Sequence, residues 1–197
     1  MLDARLPGTL IDADWSNSTT ASRAGLVAAV VGGVCLLTLS AKLQVPFYPV
    51  PMTMQTLVVL MIGMAYGRVL GTATVAAYLL AGAAGLPVFA GTPERGIGLA
   101  YMMGPTGGYL LGFLVSAWLM GALAERGWSG SFLLSAVAMV VGHAVILTAG
   151  VAWLAALVGP EKAIATGLVP FLATTAVKCA LGAVAIPPIW RAFGRKG

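Results

Sequence analysis

The residue best placed to do chemistry is Lys178, which lies about ten residues into an apolar run at 168–193 with uncharged neighbours on both sides. An ammonium at the centre of a bilayer costs about 2.5–3.5 kcal/mol on insertion scales, so a lysine there snorkels, bonds a backbone carbonyl, or faces a cavity or partner. Its depth is poorly suited to snorkelling, which favours a buried anion or a ligand carbonyl. No Asp or Glu lies within any apolar run, so a bound carboxylate would supply the countercharge that the chain does not. A second group of polar residues follows Pro46, Pro49 and Pro51, which bar a helix from the 45–52 segment. Thr53, Gln55 and Thr56 come next and set an amide at the mouth of a helix, although a polar helix start capped by Thr53 would account for the same residues.

Other motifs point to packing. Gly104, Pro105, Thr106, Gly107 and Gly108 resemble a phosphate-cradling turn, but the Lys and Ser/Thr that complete such a loop are missing. Gly104, Gly108, Gly112 and Ser116 recur every four residues and make a stripe for close helix contact, with Thr106 and Tyr109 able to serve packing and a ligand alike. Ala24, Ala28 and Gly32, beside Gly25, Ala29 and Gly33, form similar faces that fit a helix of this chain or of a partner. Phe47, Tyr48, Tyr78, Phe89, Tyr101 and Tyr109 fall near the ends of runs, where aromatics form an interfacial belt or wall a pocket. His143 is the one histidine and reads as a hydrogen-bonded core residue. Cys35 and Cys179 read as small packing residues. No HExxH, GxSxG or pair of carboxylates stands in the runs, so the usual enzyme constellations cannot be assembled.

The elements that must position these residues are membrane helices. The 197 residues are 59% hydrophobic and 9% charged with mean hydropathy +0.96, more apolar surface than a soluble domain of this size can bury. Six runs at about 22–41, 53–66, 69–90, 105–124, 131–158 and 168–193 predict an all-α membrane protein, a six-transmembrane-helix bundle. It occupies 21–197 and leaves no second domain; residues 1–20, lacking the basic start of a cleaved signal, read as a flexible or interfacial N-terminus with Trp15 at headgroup level. The net charge of +5 comes from basic residues standing singly between runs, a membrane-orientation pattern that excludes a nucleic-acid footprint. Arg5, Arg23, Arg68, Arg126, Arg191, Arg195 and Lys196 fall on one side, and Lys42, Arg95 and Lys162 on the other. Both termini are therefore expected to be cytoplasmic, with connections 43–52, 91–103 and 159–167 facing out.

Three separated stretches carry a resemblance. Val50-Pro51-Met52-Thr53-Met54-Gln55-Thr56, the run from Ala81 to Ala90 (AGAAGLPVFA) and Gly104 to Gly108 followed by Tyr109-Leu110-Leu111-Gly112-Phe113 resemble the BioY family, the biotin-capturing S components of energy-coupling factor (ECF) transporters. The resemblance covers the chain from Ser22 onward. It implies biotin held near the outer face of the bundle, with Gln55, Tyr78, Arg95 and Lys178 as ligand contacts and Pro51, Met52 and Phe89 near the pocket. It also implies partnership with a transmembrane coupling protein and two ABC-type ATPases, which hydrolyse ATP, so that no cofactor is expected in this chain. The expected partner face is Ala24 and Ala28, extended by Gly32, and the expected location is the bacterial cytoplasmic membrane, among its lipids. The family commonly carries an Asp one turn before this lysine, where this chain has Thr175. A hydroxyl there can still bond a ureido ring but cannot balance the ammonium. The remaining readings are an S component for another vitamin, a structural membrane subunit with an empty pocket, and, against the missing constellations, an intramembrane enzyme using His143.

Overall fold

The computed structural model describes residues 20–45, 48–90 and 97–193. The expectations for residues 1–19, Phe47, Arg95 and the last four residues, Arg195 and Lys196 among them, fall outside them. The described chain is helical apart from a two-residue antiparallel ladder, β1 (Gln44–Val45) with β2 (Met52–Thr53), in which Gln44 pairs Thr53 and Val45 pairs Met52. The helices are α1 (Thr20–Lys42), α2 (Gln55–Ala83), α3 (Leu99–Met102), α4 (Gly107–Ala124), α5 (Phe132–Val158), α6 (Pro160–Gly167) and α7 (Val169–Phe193), with a 3-10 turn at Trp128–Gly130. Five stretches among the described residues are long and apolar enough to cross a membrane: Arg23–Lys42, Gln55–Ala83, Gly107–Ala124, Phe132–Val158 and Pro160–Arg191. Large apolar side chains such as Val27, Leu39, Trp118, Val140 and Val184 lie exposed along them, as a lipid-facing surface requires.

α2 is not a rod. Gly67 takes φ 78° and ψ 175°, which breaks the helix and which side chains with a Cβ seldom adopt. The chain reverses there: a Cβ on Gly71 would stand 3.1 Å from the Gly63 Cα, whereas eight residues of straight helix would separate them by about 12 Å. The two arms, 55–66 and 68–83, correspond to the runs read at 53–66 and 69–90, with Arg68 at the turn held by Glu125 (Nε to Oε2, 3.1 Å). The second arm stops well before residue 90. Gly85 takes φ 92°, Pro87 follows, and 84–90 leaves the helix to fold inward, burying Val88, Phe89 and Ala90.

Small residues set the distances between helices. A Cβ at Gly108 would collide with Trp153, and one at Gly112 would lie 2.9 Å from the Ile146 Cα, so this face of α4 lies directly on α5. Ser116 continues the stripe, donating to the Gly142 carbonyl at 3.0 Å. Gly104 stands outside the helix and accepts from Trp153 Nε1 at 3.0 Å. α1 splits its small residues by face: Gly33 is buried against Thr74 and Tyr66 of α2, while Gly25 and Gly32 have nothing within 4 Å.

The connection expected at 159–167 is itself the helix α6, because Pro160 occupies the first turn with Glu161 beside it, a strong helix start. One end of the bundle carries the turns at Gly67 and 125–131; the other carries 43–45, 48–54, 84–90, 97–106 and 159–168.

A close backbone contact at the α2 turn tests the packing. A Cβ at Gly121 would fall on the backbone of Gly67 and Arg68, which cannot swing aside as a side chain can. Gly121→Val should destabilise the bundle by about 1–3 kcal/mol or more, read as a lowered unfolding midpoint of the purified protein in detergent; an unchanged midpoint would contradict this placement of the α2 turn.

Candidate ligand-binding site

A cavity lies at the bundle end that carries 43–54 and 84–106, with about 560 Å³ of empty space, part of it opening outward. Its walls are apolar and aromatic: Val50 and Pro51 before α2, Phe89 from the inturned loop, Tyr101 of α3, Tyr109, Leu110 and Phe113 of α4, Ile146 and Leu147 of α5, and Phe171 of α7. Phe89 stacks on Tyr101 (centroids 5.0 Å, planes 16° apart) and meets Tyr78 edge-on at 5.5 Å. Two long-range hydrogen bonds hold its loop, Tyr78 Oη to the Val88 carbonyl at 3.0 Å and Lys42 Nζ to the Phe89 carbonyl at 2.7 Å. Gly82 leaves the room that the Phe89 ring fills. On the far wall Tyr109 stacks on Phe171 at 6.0 Å, and its hydroxyl donates to the Gly167 carbonyl at 2.7 Å.

The polar groups gather among Thr53, Gln55, Thr56, Thr106, His143, Thr175 and Lys178. Lys178 is 5% exposed, and its Nζ donates to Thr56 Oγ1 at 3.0 Å. An ammonium has three donors, and none of the described residues lining the cavity is acidic. Gln55 is 3% exposed beside the Tyr78 hydroxyl, and its Nε2 makes no hydrogen bond to the described residues. Buried donors without acceptors cost about 1–3 kcal/mol each, so this end of the cavity is built to receive a ligand that accepts hydrogen bonds. A cavity walled by rings with a few convergent polar groups is the usual form of a small-molecule site.

Lys178, Thr175, Gln55, Phe89, Thr106 and Tyr109 thus converge on one cavity, although they come from four separate parts of the chain. Lys178 and Thr175 share a face of α7 because they stand three residues apart. Tyr78 is 0% exposed and stands behind Phe89, where it supports the loop and does not line the cavity. Met52 lines an open depression of about 940 Å³ beside the cavity, with Leu43, Met54 and Val177, which shares Thr53 and Lys178 with it. Arg95 lies outside the described residues. Ala24, Ala28 and Gly32 are exposed on α1, away from the cavity.

Sequence reasoning missed His143, which is hydrogen-bonded in the core as expected but also lines the cavity. It missed Phe113, Ile146 and Phe171 too, whose positions in apolar runs carry no local signal. Of the aromatics weighed as belt or wall, Phe89, Tyr101 and Tyr109 are wall, while Tyr48 is 77% exposed.

The described residues thus form a helical bundle with five stretches able to cross a membrane and a ring-lined cavity at one end that carries Lys178, which places the chain among multi-pass membrane proteins with a cavity of small-molecule size. The BioY family model matches residues 15–195, and the chain belongs to the BioY family. It is 39% identical over 150 residues, 76% of this chain and 86% of the relative, to the biotin transporter BioY of Thermotoga maritima. It is 34% identical over 151 residues, 77% of this chain and 87% of the relative, to the probable biotin transporter BioY of Pyrococcus horikoshii. The fold matches a crystal structure of the S component for biotin from an ECF-type ABC transporter with TM-score 0.72, over 90% of this chain and 100% of that one, at 22% identity.

The seat of Phe89 is open to a double-mutant cycle. Gly82→Val alone should cost about 1–3 kcal/mol by forcing the ring out, and the same change in a Phe89→Ala background should cost clearly less. Thermal unfolding of the four proteins measures the coupling; strictly additive losses would separate Gly82 from Phe89.

Proposed function

We propose that this chain captures biotin at its loop-rich end and delivers it as the substrate-binding membrane subunit of an ECF-type transporter. The observation that carries the reading is the buried amine of Lys178, set among aromatic walls with one hydroxyl acceptor and no acid among the described residues. Biotin matches that pattern with an apolar bicycle and aliphatic chain for the rings, and a ureido carbonyl and carboxylate as acceptors. The names of the relatives support the choice. Gln55, Thr175, Thr106 and Tyr109 are the further contacts within the cavity, with Phe89 as its cover and Tyr78 and Met52 in support. Arg95, which lies between Ala90 and Ile97 in the sequence, completes the set expected from the family.

The membrane arrangement in this proposal is six passes with both termini cytoplasmic. Counting the two arms of α2 separately supports it, as does the clustering of Arg68 and Arg126 at the turn end, where Arg23 stands in the first turn of α1 and Arg191 in the last turn of α7. The membrane is the bacterial cytoplasmic one, and the cavity then opens outward. Ala24, Ala28 and Gly32 form the surface for the coupling protein, whose associated ABC-type ATPases supply the energy, and this chain needs no cofactor of its own. The flatness of that face, with open space over Gly25 and Gly32, supports this assignment.

Removing one partner of a buried charged hydrogen bond costs about 2–5 kcal/mol. Lys178→Ala should therefore weaken biotin binding well over tenfold, measured by equilibrium binding of labelled biotin to the purified chain. Unchanged affinity would refute the role of Lys178, and tighter binding of thiamine or riboflavin in the same assay would redirect the substrate. Ala28→Trp should leave biotin affinity intact yet reduce uptake and co-purification of the coupling protein; full assembly of that variant would remove α1 from the interface.

A further inference from the structure

The mechanism above gives His143 no part, yet the residue is 2% exposed and lines the same cavity as Lys178. Its Nδ1 lies 2.9 Å from the Met139 carbonyl and 3.5 Å from Cys179 Sγ, both part of the helix packing behind it. A carbonyl oxygen only accepts, so the contact at 2.9 Å requires a proton on Nδ1. No acidic residue among the described residues lines the cavity to balance an imidazolium, and a buried ring without a counterion is neutral. The other nitrogen, Nε2, then carries a bare lone pair. It is buried and has no hydrogen-bond partner among the described residues.

An orphaned acceptor is as unusual as an orphaned donor, and this cavity holds both. Lys178 donates and cannot accept, while the neutral ring of His143 accepts at Nε2 and cannot donate there. Both groups line the same cavity, one from α5 and one from α7, and Cys179, the residue after Lys178, touches the histidine ring where the two helices pack. A donor next to an acceptor complements a carbonyl next to an N–H, the edge of an amide or a urea. Two acceptors, as in a carboxylate, would leave one of them facing the Nε2 lone pair.

We infer that His143 is a ligand-binding residue whose Nε2 accepts an N–H of the ureido ring while Lys178 donates to the adjacent carbonyl, so that this end of the cavity selects a cyclic urea. The inference rests on the biotin reading and assigns the orientation of the ligand within it: bicycle toward Lys178 and His143, carboxylate toward the mouth. Thr175 contributes a hydroxyl that adapts to either role and does not set the pattern.

The test uses the purified full chain with biotin and its two ring carbamates, in each of which one urea N–H is replaced by an isosteric oxygen. A site built to bond a donor rejects an analogue that lacks it. Wild type should bind one of the carbamates at least roughly 30-fold more weakly than biotin. His143→Leu should bind biotin and that carbamate with similar, reduced affinity, and His143→Gln, whose Oε1 restores an acceptor, should recover part of the discrimination. Equal wild-type affinity for biotin and both carbamates overturns the inference, as does undiminished discrimination in His143→Leu. If His143→Leu does not fold, the wild-type carbamate series and His143→Gln decide by the same criteria. Absence of any biotin binding by wild type sinks the substrate reading and this inference with it, whereas biotin binding without the carbamate discrimination sinks the role of His143 alone.

Discussion

An ammonium enclosed by a lipid-embedded bundle, with no carboxylate among the described residues beside it, constrains everything around it. Lys178 has Thr56 as its one acceptor among those residues, and that single hydroxyl cannot satisfy three N–H donors. The rest must come from whatever occupies the cavity. That makes the empty state costly in hydrogen bonds and gives a ligand with acceptors a large share of its affinity before any apolar contact is counted. It also makes the ring walls necessary, because Phe89, Tyr101, Tyr109 and Phe171 exclude the water that would otherwise solvate the amine and weaken the reward for binding.

Holding those walls together without a hydrophobic driving force between helices is the task of the small residues. Lipid tails are as apolar as leucine, so α4 and α5 gain by close backbone approach at Gly108 and Gly112 and by the Ser116 bond to the Gly142 carbonyl. The same device turns the chain at Gly67, where Gly63, Gly71 and Gly121 let three backbones meet. That turn brings Gln55 and Tyr78 together, although they are 23 residues apart and lie on opposite arms of α2. Tyr78 then anchors Val88, and the loop carrying Phe89 is fixed over the site. The cavity cover thus depends on glycines at the opposite end of the bundle.

Much of this could be read from the residues. The depth of Lys178 and the lack of acids in the apolar runs announced a ligand, and the four-residue repeat from Gly104 to Ser116 announced the α4–α5 contact. The break near Arg68 was visible as the end of one run and the start of the next. Less was visible where an apolar residue has two equivalent uses. Val88 and Phe89 extend a hydrophobic run whether they continue a helix toward lipid or fold inward over a pocket, and only Gly85 and Pro87 hint at the second. His143 looked like a core residue because it is one; its ring also lines the cavity where α5 packs on α7, which no spacing within α5 encodes. Tyr78 is expected as a ligand contact from the resemblance alone, and its hydroxyl bonds the carbonyl of Val88, ten residues on.

The two faces of α1 show how capture and coupling can be kept apart in so small a chain. Gly33 points inward against Thr74, Tyr66 and Ile62 of α2, while Gly25 and Gly32 lie on open surface. A partner docking on the open side touches a helix whose contact with the cavity is indirect, through the Lys42 bond to the Phe89 carbonyl at its far end. That one bond ties the end of α1 to the loop bearing the cavity cover. A tilt of α1 driven from its outer face would therefore pull on the cover without disturbing Lys178, His143 or Thr56, which are held by α2, α5 and α7. Release of a ligand by such a pull needs no change in the polar groups that bound it, only the loss of the ring that kept water out.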